Sequence, residues 1–255
     1  MLLIKNGTIV DPVENTLYRA DLQIAEGKIT GIIREGEAAP AQTQEHINIE
    51  ETETIDAAGL LIAPGLADTH VHFREPGFTH KEDITTGAAA AARGGFTEIV
   101  LMANTKPPVD NEETLSYVLS RGRETGIHIE SCANVTLGMA GEELTDMEKL
   151  AKAGAAGFTD DGIPLLDEAI VRKAMEKAKS LHKPISFHEE NPGMIANNGI
   201  NAGKASEFYG IGGSPREAEI SLVKRDLELA LATGAEVVIQ HISTKEAVAL
   251  LREAK

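Results

Sequence analysis

Over the first 55 residues, apolar and polar positions alternate in short runs such as "LLIKNGTIVD" and "ADLQIAEGKITGII". This is the period-two pattern of half-buried strands. Asn6-Gly7 and Glu26-Gly27 interrupt the runs with residue pairs that hairpin turns favour. The polar stretch "REGEAAPAQTQEH" that follows reads as an exposed loop. From about residue 56 the rhythm changes to strand, loop and helix, repeated. "LIAPGLADTHVHF" precedes the helical "KEDITTGAAAAAR", which Gly94-Gly95 stops. "FTEIVLM" leads through "ANTKPPVD" to a helix over about 111–125, and "IHIESCANV" leads to one near 142–153. "AAGFTDDG" is a short strand ahead of the helix "LLDEAIVRKAMEKAKSLH". "PISFHEE" runs into a long Gly/Asn-rich loop and a helix around 215–233, and "AEVVIQH" precedes "STKEAVALLREA". The pattern predicts a small β domain on residues 1–55 and six β/α units on 56–255.

Repeated units of this kind predict a parallel α/β architecture with functional groups on the loops that follow the strands. A doubly wound sheet shares the rhythm but carries a Gly-rich phosphate loop after its first strand, and "HFREPGFTH" is not one. The expected class is therefore a (β/α)8 TIM-type barrel. A complete barrel needs two further units, so the chain reads as a fragment of a longer protein.

Composition narrows the function. A chain of 255 residues with 42% hydrophobic and 25% charged residues is ordinary globular material, long enough for a sizeable core. The formal net charge of -16 argues against nucleic acid and anionic membranes, which need a basic footprint. Cys132 is the single cysteine, which excludes an internal disulfide framework and fits a reducing cytoplasm. Its apolar surroundings predict a small buried side chain. The N-terminus "MLLIKNGTIV" lacks the features of a signal peptide, and no run approaches the ~18 apolar residues of a membrane span.

The chemistry gathers at the strand ends. In "LADTHVHFREPG", Asp68, His70, His72 and Arg74 fall at every second position, so a strand presents them to one side. Two imidazoles on one face can share a Zn²⁺, which takes nitrogen ligands at about 2.0–2.1 Å. His188 ends "ISFH" and His241 ends "VVIQH", so four of the eight histidines fall at the same rim. His46, His80, His128 and His182 lie in loops, at strand starts or on helices and are assigned no ligand role. Four histidines exceed the needs of one catalytic zinc, and two cations need an anion between them. "GFTDDG" offers Asp160 and Asp161, either of which could serve while the other caps a turn. Such a centre deprotonates water and polarises a carbonyl together. Arg74 and Asn104 stand on the loops beside it. Arginine suits a bidentate hold on a carboxylate, although Arg74 could instead pair with Glu75.

The order and spacing of "PGLADTHVHFREPG", "ANTKPPVD", "GFTDDG", "FHEEN" and "QHISTKEAV" resemble the amidohydrolase superfamily, specifically bacterial dihydroorotases of the long, class I type. The resemblance covers essentially the whole chain. It implies an amidohydrolase barrel with a small N-terminal β-sandwich domain, completed from a C-terminal part. It implies that His70 and His72 bind the more buried of two zinc ions, that His188 and His241 bind the second, and that an aspartate bridges them. Asp161 matches the bridge best by its spacing to His188, with Asp160 the fallback. Arg74 and Asn104, with His72 beside them, match the residues that hold the substrate. The implied reaction is the reversible cyclisation of N-carbamoyl-L-aspartate to (S)-dihydroorotate in pyrimidine biosynthesis, in the cytoplasm, without nucleic acid or membrane. A homodimer and a complex with aspartate carbamoyltransferase are the assemblies it suggests.

Two departures bear on this. Hydantoinase- and allantoinase-like relatives bridge their metals with a carboxylated lysine, and "GFTDDG" has none. The family's general acid/base is an aspartate ending the eighth strand, and that position lies beyond Lys255. These residues alone are therefore expected to be inactive. A catalytically silent scaffold subunit is the alternative of another class, and it would be expected to have lost metal ligands.

Overall fold

The computed structural model describes residues 1–37, 52–197 and 199–255. His46 and most of the polar stretch read as an exposed loop lie outside the described residues. The chain divides into two compact units, Met1–Gly65 and Leu66–Lys255.

Among the described residues the first unit forms a five-stranded sheet: β1 (Leu2–Asp11), β2 (Thr16–Ala25), β3 (Lys28–Arg34), β4 (Glu53–Asp56) and β5 (Leu61–Ile62). The order is β3-β2-β1-β4, with β5 also on β1. Glu26 and Gly27 form the β2–β3 hairpin with both φ values positive, 51° and 72°, as a two-residue loop of this kind requires. Asn6-Gly7 is not a hairpin. It sits inside β1, where the register against β2 shifts, and Asn6 takes a φ of 63°. A side chain at Gly7 would come within 2.3 Å of Ile62 Cδ1, so the glycine admits β5 rather than turning the chain. The true reversal follows Asp11, whose Oδ1 accepts from the N–H groups of Val13 and Glu14. Ile9, Ala20 and Leu22 form its core.

The unit boundary falls after Gly65 rather than at the expected 55/56. β4 and β5 pair in parallel with β1 and so belong to the first sheet. "LIAPGLADTHVHF" is accordingly two strands, β5 and β6 (Leu66–Val71), and not one.

The second unit is α/β. β6, β7 (Phe96–Leu101) and β8 (His128–Ser131) form one parallel sheet. β9 (Phe158–Thr159), β10 (Ile185–Phe187) and β11 (Val237–Ile239) form another, and a parallel bridge from Ala133 to Phe158 links the two. The strands therefore follow one another in chain order. Between and after them run α1 (Ile84–Arg93), α2 (Glu112–Gly122), α3 (Met147–Lys152), α4 (Glu168–Ser180), α5 (Lys204–Tyr209), α6 (Glu217–Thr233) and α7 (Lys245–Ala254). Asp83, Asn111, Asp146, Asp167 and Thr244 cap α1, α2, α3, α4 and α7, each with a side chain accepting a backbone N–H of the first turn.

One face of each strand packs on the helices. Ile99, Leu101, Ile129, Phe158 and Ile185 are buried there with Leu115, Val118 and Met175. The opposite face carries Glu98, His128 and Glu130. Gly87 lets α1 lie against Phe73, whose ring would be 2.3 Å from any Cβ at that position. That contact fixes the stretch that holds His72 and Arg74. Two expectations change in detail. α3 begins at Met147, not 142, because Leu144 is spent on a bridge to Thr136 and Asp146 is the cap. The loop after β10 contains the short α5 and a bridge from Asn201 to Ser214, too brief to leave a periodic signal.

Candidate metal centre

β6 ends in His70 and Val71, and His72 follows directly, so the two imidazoles meet with Nε2 atoms 3.1 Å apart. β9 is only two residues long, and Asp160 and Asp161 leave it into a turn at Gly162, where φ is 88°. Asp161 points to the histidines: Oδ2 lies 3.3 Å from His72 Nε2, and Oδ1 lies 3.7 Å from His70 Nε2. The same Oδ1 is 3.3 Å from His188 Nδ1 and 3.9 Å from His241 Nε2. His188 and His241 follow β10 and β11 and are themselves 2.9 Å apart, Nδ1 to Nε2. His70, His72 and Asp161 form one potential ligand group, and Asp161, His188 and His241 form a second. Asp161 belongs to both.

Proton positions test whether a cation fits. Asn104 donates from Nδ2 to the Asp161 carbonyl and to Oδ2, both at 3.3 Å, which turns its Oδ1 towards His72 Nδ1 at 3.0 Å. An amide oxygen only accepts, so His72 carries its proton on Nδ1 and presents a lone pair at Nε2. That lone pair faces a carboxylate oxygen and another imidazole nitrogen. His188 lies between two carboxylates, with Nε2 3.4 Å from Glu190 Oε2 and Nδ1 3.3 Å from Asp161 Oδ1. Converging lone pairs repel unless a cation lies among them. Two ligands 2.0–2.1 Å from a tetrahedral zinc stand about 3.3 Å apart, close to the separations found. The residues fit two divalent ions.

The electrostatics of Asp161, His70 and His241 agree. Burial works to raise the Asp161 carboxyl, but the His188 hydrogen bond and the charges of His72, His70 and His188 hold it below the ordinary range. His70 and His241 are pushed down, chiefly by burial, which keeps them neutral and able to ligate. His188 is raised by its bond to Asp161.

Asp160 does something else. It is buried and accepts from Asn134 Nδ2 at 3.2 Å, Val135 N at 2.9 Å, Thr136 N at 3.1 Å and the Thr136 hydroxyl. It pins the loop after β8 to the end of β9 and belongs to neither ligand group. Burial nevertheless leaves its carboxyl above the usual value.

Arg74 is half-buried on the loop after β6, and its guanidinium has no hydrogen bond or ion pair among the described residues. The alternative pairing with Glu75 does not form. Glu75 instead accepts from Tyr117 Oη at 2.6 Å, Arg121 Nε at 3.0 Å and the Ile84 N–H at 2.9 Å. Burial works to raise Glu75, yet those bonds hold it below the ordinary carboxylate range. A depressed pKa adds stability that is present above the unfolded value, near ~4.3, and is lost as the pH falls through the folded one. Glu75→Gln should therefore be less stable than the parent at neutral pH, and the two should draw together at an acid pH below the ordinary carboxylate range. Urea midpoints at the two pH values check this, and a constant gap would refute it.

Other residues were not singled out by the sequence. Glu190 faces His188, and Gln240, buried beside His241, donates to Ser186 Oγ at 2.8 Å and Thr159 Oγ1 at 3.2 Å. Asn104 contacts His72 and Asp161, where the sequence suggested a hold on substrate alone. A cavity of about 640 Å³ opens beside His188 and His241, with Glu190, Asn201, Arg216 and Glu219 in its wall. Cys132 is buried as expected, and its thiol is pushed up to about 12 by burial and the nearby carboxylates. His128 lies between Glu98 and Glu130, at 3.5 Å and 4.0 Å, a third cluster on an exposed strand face. No helix among the described residues is long and apolar enough to cross a membrane.

A dihydroorotase of Clostridioides difficile (strain 630) is 49% identical over 255 residues, which is 100% of this chain and 58% of the relative. One of Clostridium acetobutylicum is 45% identical with the same coverage. The chain thus spans a little over half the length of these curated relatives. Among solved structures, L-hydantoinase from Arthrobacter aurescens superposes with a TM-score of 0.79 at 21% identity, over 99% of this chain and 55% of that one. That likeness shows the fold. Residues 59–247 match the family described as dihydro-orotase-like, and with its rim histidines and shared aspartate inside that stretch, the chain belongs to this family.

Proposed function

We propose that the intact protein is a dihydroorotase that interconverts N-carbamoyl-L-aspartate and (S)-dihydroorotate. The observation that carries this is Asp161, one carboxylate within reach of both His70–His72 and His188–His241. The 49% and 45% identities to proteins named dihydroorotase support the reading. We assign His70, His72, His188, His241 and Asp161 as ligands of two zinc ions. When bound, such a centre supplies Lewis-acid polarisation of an amide carbonyl and a lowered water pKa. The chain's own residues do the rest. Asn104 fixes the tautomer of His72 and the rotamer of Asp161. Arg74, whose guanidinium has no partner among the described residues, holds the substrate carboxylate with its planar fork. The proton shuttle is assigned to an aspartate outside these residues. Every ligand position within the chain is filled, which speaks against a silent scaffold. The absence of lysine from "GFTDDG" speaks against a hydantoinase-like bridge. The five-stranded sheet is assigned to a small β-sandwich and the protein to the cytoplasm.

The assay of ring opening and closure in the intact protein tests this, together with zinc analysis. Arg74→Lys keeps the charge and loses the fork. kcat/KM for dihydroorotate should fall by about 1.5–3 kcal/mol, the scale of a hydrogen bond to a charged group, with zinc content unchanged. An unaltered kcat/KM would remove Arg74 from the substrate site.

A further inference from the structure

The second ligand group draws on three loops: the one after β9 with Asp161, the one after β10 with His188, and the one after β11 with His241. All three are fastened to one helix, α6. Arg225 donates from Nη2 to the Leu165 carbonyl at 2.7 Å and from Nη1 to that of Leu166 at 3.2 Å. Asp226, fully buried, holds the same guanidinium at 2.7 Å and 2.8 Å. The loop after β10 is tied through the backbone, where the Asn191 N–H donates to the Ala218 carbonyl at 3.0 Å. Glu219 accepts four bonds from the loop after β11. They come from the Ser243 N–H and hydroxyl, at 2.9 Å and 2.6 Å, and from the Thr244 N–H and hydroxyl, at 2.9 Å and 2.6 Å.

None of these bonds reaches His70 or His72. Their loop is held by Glu75 through Ile84, Tyr117 and Arg121, on α1 and α2. The two ligand groups share Asp161 and are otherwise held by different helices. α6 has the rigidity to act as a fixture, since Val223, Leu227, Leu229 and Ala230 are buried along it. His241 needs one: its φ of 33° lies in the left-handed region, a conformation that surrounding structure must hold for a side chain of this size.

We propose that Glu219 is a positioning residue that sets the metal affinity of the Asp161–His188–His241 group independently of the His70–His72 group. The proposal rests on the two-metal reading above. Ligand atoms must be placed to within a few tenths of an ångström, and residues that orient ligands typically contribute about 10–100-fold to affinity. Glu219→Ala would leave two backbone N–H groups and two hydroxyls of the 243–244 turn without their acceptor.

The test is a zinc titration of the intact, metal-stripped protein against competing chelators of graded affinity. His241→Ala and His70→Ala identify which binding step belongs to which group. In Glu219→Ala, the step lost in His241→Ala should weaken at least ~10-fold, and the step lost in His70→Ala should stay within about threefold. Glu219→Gln, which keeps an acceptor oxygen, should fall between parent and alanine. Should Glu219→Ala fail to fold, Ser243→Ala removes one of the four bonds and must weaken the same step alone. Equal weakening of both steps, or of neither, in a protein that binds two zinc ions overturns the positioning role. A parent protein that binds one zinc overturns the two-metal reading and this proposal with it.

Discussion

Asp161→Asn in the intact protein is expected to lower zinc from two equivalents to one or fewer and to reduce ring opening by at least ~10³-fold, about 4 kcal/mol of transition-state stabilisation. The argument is charge. Two divalent ions at neighbouring sites repel, and Asp161 is the one anion within 4 Å of all four rim histidines among the described residues. Asparagine keeps the shape and removes the charge. The neighbouring acid gives the contrast. Asp160→Asn should keep both zinc ions, because Asp160 touches the Val135 and Thr136 N–H groups and not the histidines. It should instead cost about 1–3 kcal/mol of folding stability, since an amide nitrogen cannot accept the bonds a carboxylate oxygen held. Elemental analysis and denaturant unfolding of both variants separate the two effects. Zinc lost from Asp160→Asn and kept in Asp161→Asn would reverse the assignment.

That difference between adjacent aspartates shows where sequence reasoning stops. "GFTDDG" announces an acid at a strand end, and the i, i+2 spacing of His70 and His72 fixes both on one face. These are local rules of strand geometry, so they are legible. Which aspartate turns inward depends on where a two-residue strand ends and on which loop comes to lie above it. Here that loop is Asn134–Thr136, contributed from before β9. No pattern within the motif contains that information. The same holds for Arg74: its pairing with Glu75 was plausible by adjacency, and Tyr117 and Arg121, 42 and 46 residues along the chain from Glu75, displace it. The strand and helix rhythm survived well because buried alternation and N-caps are encoded residue by residue. Asn6-Gly7 did not, because a bulge and a turn use the same residue pair and the partner strand decides between them. The α6 fixture left no motif at all. It consists of polar side chains reaching over 24 to 60 positions.

Gly77→Ala is the second large effect expected, and it concerns the loop that carries Arg74. Gly77 has a φ of 91°, and a Cβ there would lie 2.1 Å from the Lys106 carbonyl oxygen and 2.9 Å from its carbonyl carbon. Those are backbone atoms and cannot rotate away. The Lys106 N–H also donates to the Pro76 carbonyl at 3.1 Å, so the two loops meet backbone to backbone at this point. One bears Arg74; the other bears Asn104, which is bonded to His72 and Asp161. Alanine must drive these loops apart. Gly95 supplies the control, since its φ is 88° and a Cβ there would meet nothing within 4 Å. Gly95→Ala should carry only the left-handed backbone cost, about 1–2 kcal/mol. Gly77→Ala carries that cost and the clash, so its loss of stability should exceed the control by about 1–3 kcal/mol. The functional consequence should be of comparable size, because the displaced loops carry Arg74 and Asn104, the residues proposed to hold substrate. A fall in kcat/KM of about 10²-fold is expected in Gly77→Ala, against less than about threefold in Gly95→Ala. Urea unfolding and steady-state kinetics of the intact protein measure both terms. Equal behaviour of the two variants would mean that the loops of Arg74 and Asn104 are not in contact at Gly77, and the geometry given for the substrate side of the centre would fall with it.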